Sequence, residues 1–450
     1  MNAPRFTSLL LAGVLCLSLG PASFAAKSKA KASAKSSKSS AKSPAKPSAK
    51  ASPSPAAKPS PTPNQDWQVI KVGPRDYLSL DNIAKFYGLL GNVDSTGKSV
   101  VLNNGRNQLQ VTLDSREAIV NGVRNWLCFP VIAHDNKFLV SRIDLAKTIE
   151  PQLRPQMIQR SGKIQTVVLD AGHGGHDKGA ASALGNEKDY TLAVVHELRP
   201  LLQARGFKVV MTRDTDVFIP LEERARIANQ TKDSIFVSVH FNATNTNPTA
   251  AGFEIFSLTP RGAPSTNDEG IALHFVNLQA GSPVEAQSFE LASVVYHSML
   301  GNFLQEFDRG IKRARFAVLR RTTIPSILVE GGFLSETGEA KHINDPEWRK
   351  QLAQAICTGV EGYRGLVEKK QRPMLVAEYR ARAAGEITVV DLAVPPSKLD
   401  ADSVMPVSNP PFIPVVGPAP SPSPTAMSAT PAPTSPPLDA SLEGSEEPEP

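Results

Sequence analysis

Cysteine is almost absent: Cys16, Cys128 and Cys357 are all that 450 residues contain. That excludes a disulfide-stapled scaffold and any cysteine-based zinc or redox motif. Long apolar runs are also missing. The best candidate, Leu9–Leu19, is only 11 residues long, too short for a bilayer core of ~30 Å. With Arg5 before it and Ser23-Phe24-Ala25 after it, this run reads as a secretory signal over residues 1–25, cut before Ala26. Leu15 precedes Cys16 where a lipoprotein would need a small residue, and no later segment looks transmembrane. Export follows, to a periplasm or an outer wall. The two cysteines left after cleavage are read as buried free thiols in separate domains.

Acid is missing from residues 27–64, which carry nine lysines; set against the formal charge of +6, they leave −3 for the rest of the chain. The basicity therefore belongs to the 26–65 segment, not to a folded surface. In an exported protein such an arm meets an anionic wall polymer or membrane surface, not nucleic acid, or serves as a solvated linker. Proline is scarce in the middle: 23 of 38 fall in 44–63 and 395–450. Both flanks read as disordered, the second ending in the acidic GSEEPEP.

Between them, residues 66–157 show short alternating apolar runs with Asn-Gly turn signals at Asn104-Gly105 and Asn121-Gly122, the pattern of β-hairpins in a small α+β module. Residues 163–368 alternate strand signals (IQTVVLD, GFKVVMT, SIFVSVH, GFEIFSL, FAVLR, SILVEGG) with helical ones (YTLAVVHELRPLLQAR, LEERARIANQ, FELASVVYHSMLGNFLQEF, PEWRKQLAQAICTGVEGYRGLV). This predicts an α/β domain with a twisted, mostly parallel or mixed sheet and helices on both faces. Ligands in such folds gather at the carboxyl ends of strands.

VVLDAGHGGHDKGA, Val167 to Ala180, runs a buried strand into a Gly- and His-rich turn. No Gly-Lys-Ser/Thr follows, and the glycine spacing is not G-x-G-x-x-G, so neither phosphate motif fits. A metal fits better. His173 follows one strand, SIFVSVH ends a second on His240, and LVEGG ends a third at Glu330. Glu187 opens a helix just after the first loop. Two histidines and a glutamate around one ion form a catalytic zinc set, with the fourth position left for water. The glycines are expected to let substrate approach closely. His176, His196, His297 and His342 are read as loop, surface or packing residues. The basic run Lys312, Arg313, Arg315, Arg320 and Arg321 is read either as a contact for substrate carboxylates or as a solvated edge.

LDAGHGGHDKGA, NEKDYTLAV, MTRDTDVFIPLEERARIAN, SVHFNA and IPSILVEGGFLS together resemble the zinc-dependent N-acetylmuramoyl-L-alanine amidases of bacterial cell-wall turnover, over nearly all of residues 165–366. The resemblance implies one Zn²⁺ held by His173, Glu187 and His240, with Glu330 as the catalytic carboxylate. It implies peptidoglycan as substrate, cut between N-acetylmuramic acid and the L-alanine of the stem peptide, in wall turnover or daughter-cell separation. Residues 66–157 resemble the copper amine oxidase N-terminal-like modules of wall proteins, which suggests an accessory binding or spacing role and no metal site. Where the family passes quickly from GFEIFSL to the next helix, residues 260–287 intervene. Two readings of this segment stay open: a plain surface loop, or a cover in which Asp268, Glu269 or Glu285 reaches an open zinc position until an activator protein displaces it. Two other readings stay open: a non-catalytic peptidoglycan-binding protein, and a zinc carboxypeptidase-like peptidase acting on wall peptides. The peptidase usually has only two residues between its first His and Glu, and His173 and Glu187 are much farther apart.

Overall fold

A computed structural model describes residues 67–158, 162–247, 249–268, 281–302 and 308–385. The signal, the lysine-rich segment, the acidic tail and residues 269–280 of the insert lie outside the described residues.

The architecture is built on Thr166–Ala171, whose six residues are all buried. An apolar strand with no exposed side must be covered on both faces, as parallel strands are. It pairs in parallel with Lys208–Met211 and Ser234–Asn242, and the latter pairs in parallel with Ser326–Phe333. Phe253–Leu258 then adds antiparallel, and Asp308–Ala314 pairs in parallel with it. Helices Glu187–Ala204, Glu285–Asn302 and Pro346–Lys369 share one apolar core with Val167, Leu169, Val237, Ile255 and Val329. The opposite face, through Val168, Phe236 and Leu328, packs on Leu221–Gln230 and Ala317–Arg321. The α/β fold with helices on both faces is thus the observed one.

Two segments differ from expectation. FAVLR, read as a strand, forms the helix Ala317–Arg321, with adjacent Val318 and Leu319 buried together. Five residues are too few for periodicity to separate helix from strand. The missed strand is Asp308–Ala314, whose sequence DRGIKRA hides it, because its buried side chains include Lys312 and Arg313. Those two cations are therefore neither a solvated edge nor a surface contact. Arg313 reaches the Lys147 carbonyl and lies 3.9 Å from the Phe289 ring centroid.

The hairpins of the first module form as expected. Val120 pairs with Val123 across Asn121-Gly122, both left-handed at φ 51 and 82, as a two-residue hairpin turn requires. The strand Val123–Trp126 then joins Asp308–Ala314 in parallel, so one mixed sheet of eleven described strands runs through both segments. Trp126 Nε1 donates to the Arg309 carbonyl at 2.9 Å across this joint. Cys128 and Cys357 are buried and free. A further helix, Val376–Ala383, packs on Glu285–Asn302 beyond the expected limit at 368.

Candidate metal centre

Three parallel neighbours, Thr166–Ala171, Ser234–Asn242 and Ser326–Phe333, end on the same side of the sheet. That shared rim brings distant sequence together. His240 and Glu330 are register partners on adjacent strands. His173 lies two residues beyond its strand, and Glu187 is the first residue of its helix.

The two imidazoles close on one carboxylate: His173 Nε2 is 3.0 Å from Glu187 Oε2, and His240 Nδ1 is 2.9 Å from Glu187 Oε1. One ligand atom from each residue falls within 4.8 Å of the others. Two ring nitrogens and a carboxylate oxygen are a donor set suited to zinc. Asp177 Oδ2, 2.9 Å from His173 Nδ1, supplies the outer carboxylate that fixes ring orientation in such sites. The residues present therefore fit the ion.

Electrostatics separate the two site glutamates. Burial pushes the Glu187 carboxyl up, but hydrogen bonds to His173 and His240 outweigh it and hold Glu187 far below the usual carboxylate range. Burial lowers His173, and Glu187 with Asp177 more than restores it, so its pKa is raised. Burial drives Glu330 well above the ordinary value, helped by the Glu187 and Glu254 carboxylates and opposed by Lys312. Glu330 Oε2 is a buried oxygen with no hydrogen-bond partner among the described residues.

Two glycines make room for the converging side chains. A Cβ on Gly172 would stand 2.3 Å from His240 Cε1. On Gly179, where φ is +63, it would stand 2.5 Å from both Glu187 Oε2 and His173 Cδ2. His173 itself is left-handed, at φ 60. Two buried arginines hold that turn, and neither was assigned a role from sequence. Arg213 donates to the Ala171 and Gly172 carbonyls at 2.9 and 2.8 Å. Arg224 donates to the Ala171 and His173 carbonyls at 2.7 and 2.6 Å and pairs with Asp170 at 2.8 Å. The available signal was Asp170 itself: a carboxylate inside a buried apolar strand requires a cation.

The insert's described acids are engaged elsewhere. Glu285 accepts from Ser282 N–H and pairs with Lys147 at 3.2 Å, and Asp268 accepts from Ser265 N–H. Neither reaches the histidines; Glu269 lies outside the described residues. Arg116 grips the Ser265 and Thr266 carbonyls at 3.0 and 3.1 Å. His176 is exposed against the Phe218 ring at 4.3 Å, and His297 is a buried packing residue.

The family profile described as N-acetylmuramoyl-L-alanine amidase matches residues 167–362, a span holding all four site residues. The chain is 31% identical over 245 residues to the N-acetylmuramoyl-L-alanine amidase AmiA of Escherichia coli, covering 50% of this chain and 84% of that one. The chain belongs to the N-acetylmuramoyl-L-alanine amidase family. AmiC of Neisseria meningitidis is 35% identical over 240 residues, covering 49% of this chain but only 57% of its own length. AmiC2 of Nostoc punctiforme, a solved member, is 31% identical over 45% of this chain and 98% of that one, with a TM-score of 0.37. Glu187, placed as a helix opener by sequence, is in this amidase the residue on which both histidines converge.

Proposed function

We propose that this chain is an exported, zinc-dependent peptidoglycan amidase that cleaves the bond between N-acetylmuramic acid and the L-alanine of the stem peptide. The observation that carries the reading is the convergence of His173, Glu187 and His240 beside a buried, unpartnered Glu330. Zinc held by these three side chains would make water nucleophilic near neutral pH and polarise the amide carbonyl. Glu330 takes a proton from the attacking water and returns it to the departing L-alanine amine. A secluded carboxyl raised by burial holds a proton more firmly than an ordinary one, which suits its keeping the proton until the amine departs. Asp177 orients His173, while Arg213 and Arg224 hold the turn that carries it.

The alternative readings are weaker. A non-catalytic wall-binding protein has no need of an intact ligand set and base, and the wide His173–Glu187 separation departs from the carboxypeptidase-like pattern. The signal-like residues 1–25 support export. No helix among the described residues is long and apolar enough to cross a membrane. To the 66–157 module we assign an accessory wall-binding or spacing role, on its resemblance. We also carry an activator acting on residues 260–287, on the strength of that departure from the family pattern.

The test compares Glu330→Ala with the unaltered protein on dye-labelled sacculi, at matched zinc content. Loss of a positioned general base predicts release slower by about 100-fold or more. Equal release would contradict the mechanism.

A further inference from the structure

Glu330 has a neighbour that the reaction as described does not use. Glu254 stands directly across from it on the antiparallel strand Phe253–Leu258, so the two carboxylates leave the same face of the sheet side by side. Their situations are opposite. Glu254 Oε2 accepts from Arg309 Nε at 2.8 Å and from Lys312 Nζ, and Oε1 accepts from Asn242 Nδ2 at 2.8 Å. Glu330 Oε2 accepts from nothing among the described residues. The Glu254 side chain is 4% exposed and that of Lys312 is 8%. Water therefore cannot take over either charge.

A buried ammonium pairs with whichever carboxylate it can reach, since leaving it unpaired is strongly unfavourable. Two carboxylates lie near Lys312, and its charge is felt at Glu330. Glu254 is the one that holds it. The strand of Arg309 and Lys312 is fixed from its far side, where Trp126 Nε1 bonds the Arg309 carbonyl and the Trp126 ring centroid lies 5.9 Å from Lys312 Nζ. The Arg309 guanidinium is itself seated 4.6 Å from the Phe333 ring centroid.

We infer that Glu254 is a positioning residue of the amidase reaction: by sequestering Lys312 and Arg309 it keeps Glu330 unpaired and facing the substrate. The inference rests on the reading of Glu330 as the base. A base locked in an ion pair must break that pair before it accepts a proton, so the role of Glu254 is to prevent the pair from forming. Asn242, two residues beyond His240 on the same strand, is held by the other oxygen of Glu254 and closes the arrangement.

A suppressor experiment on the full-length protein separates this role from a merely structural one. Initial rates on a soluble N-acetylmuramoyl-peptide would be measured for the unaltered chain, for Glu254→Gln, and for Glu254→Gln combined with Lys312→Met, with bound zinc and Tm for each. Glu254→Gln frees the ammonium to occupy Glu330, so kcat should fall about 100-fold with KM and zinc content unchanged. Removing that ammonium in the double variant should recover at least about tenfold, roughly 1.4 kcal/mol of barrier. A structural role predicts the reverse, because a second buried substitution only adds damage. Glu254→Asp keeps the charge and should keep most of kcat, which preserves the test if Glu254→Gln folds poorly. The inference is overturned if Glu254→Gln retains full kcat, if the double variant is no faster than the single, or if the Asp and Gln variants lose equally. An unaltered chain that releases no amine would remove the underlying reading as well.

Discussion

Replacing Arg224 by methionine is the sharpest test of how the turn that carries His173 is built. The Arg224 side chain is 3% exposed and that of its partner Asp170 is 0% exposed. Removing one member of a fully buried pair costs about 3–5 kcal/mol, because the other charge is stranded. Asp170 keeps hydrogen bonds from Thr212 and Ser238 at 2.6 and 2.7 Å, which places the expected cost near the lower figure. At about 2–4 °C per kcal/mol for a body of this size, a loss of about 3 kcal/mol lowers Tm by about 6–12 °C. The carbonyls of Ala171 and His173 lose a donor in the same step, so zinc affinity should fall with stability. The pH dependence has a definite sign. Burial raises Asp170, yet Arg224 and the two hydroxyls hold it below the ordinary value. In the unaltered protein it therefore contributes stability above the unfolded pKa, lost as pH falls through the lower folded one. Losing Arg224 raises the Asp170 pKa, so the variant's deficit is largest at neutral pH and narrows on acidification. Thermal melts by circular dichroism from pH 7 to pH 4 would measure both effects. A deficit under about 1 kcal/mol, or one independent of pH, would refute the reasoning.

Two further outcomes follow from the same geometry. Asp177→Asn should weaken zinc binding about 10–100-fold in chelator competition, since only a carboxylate holds His173 Nδ1–H as strongly; unchanged affinity would show that the 2.9 Å contact is incidental. His297, whose Nδ1 accepts from Val376 N–H at 3.2 Å, is pushed down to about 4 by burial. The unfolded chain binds that proton near pH 6.5, so stability is full above this value and falls by about 2 kcal/mol between pH 7.5 and pH 5. Urea midpoints for His297→Gln should lack that slope.

The strands that lead to His173, His240 and Glu330 were readable because each is a largely apolar, β-branched run that meets a polar residue at the rim. Val167–Leu169 leads toward His173, Ile235–Val239 ends on His240, and Ile327–Val329 ends on Glu330. The Asn121-Gly122 hairpin was readable because its turn needs left-handed residues. Asp308–Ala314 was not, since the rule that strands show apolar alternation fails where Lys312 and Arg313 are buried against Glu254 and the Lys147 carbonyl. The union of the two segments into one sheet depends on that same strand, and so was hidden with it. Arg213 acts on backbone carbonyls, which a sequence does not display, whereas the buried Asp170 is a sequence signal for Arg224. Gly172 and Gly179 face the His240, Glu187 and His173 side chains, a packing fact no spacing rule contains.

Mass spectrometry of peptidoglycan digested with the zinc-loaded protein tests the central claim most directly. The account predicts new free amines on L-alanine, glycan strands of undiminished length, and loss of both amine release and bound zinc when the protein is stripped by chelation. Cuts within the glycan or between stem-peptide residues, or amine release that persists without zinc, would contradict it.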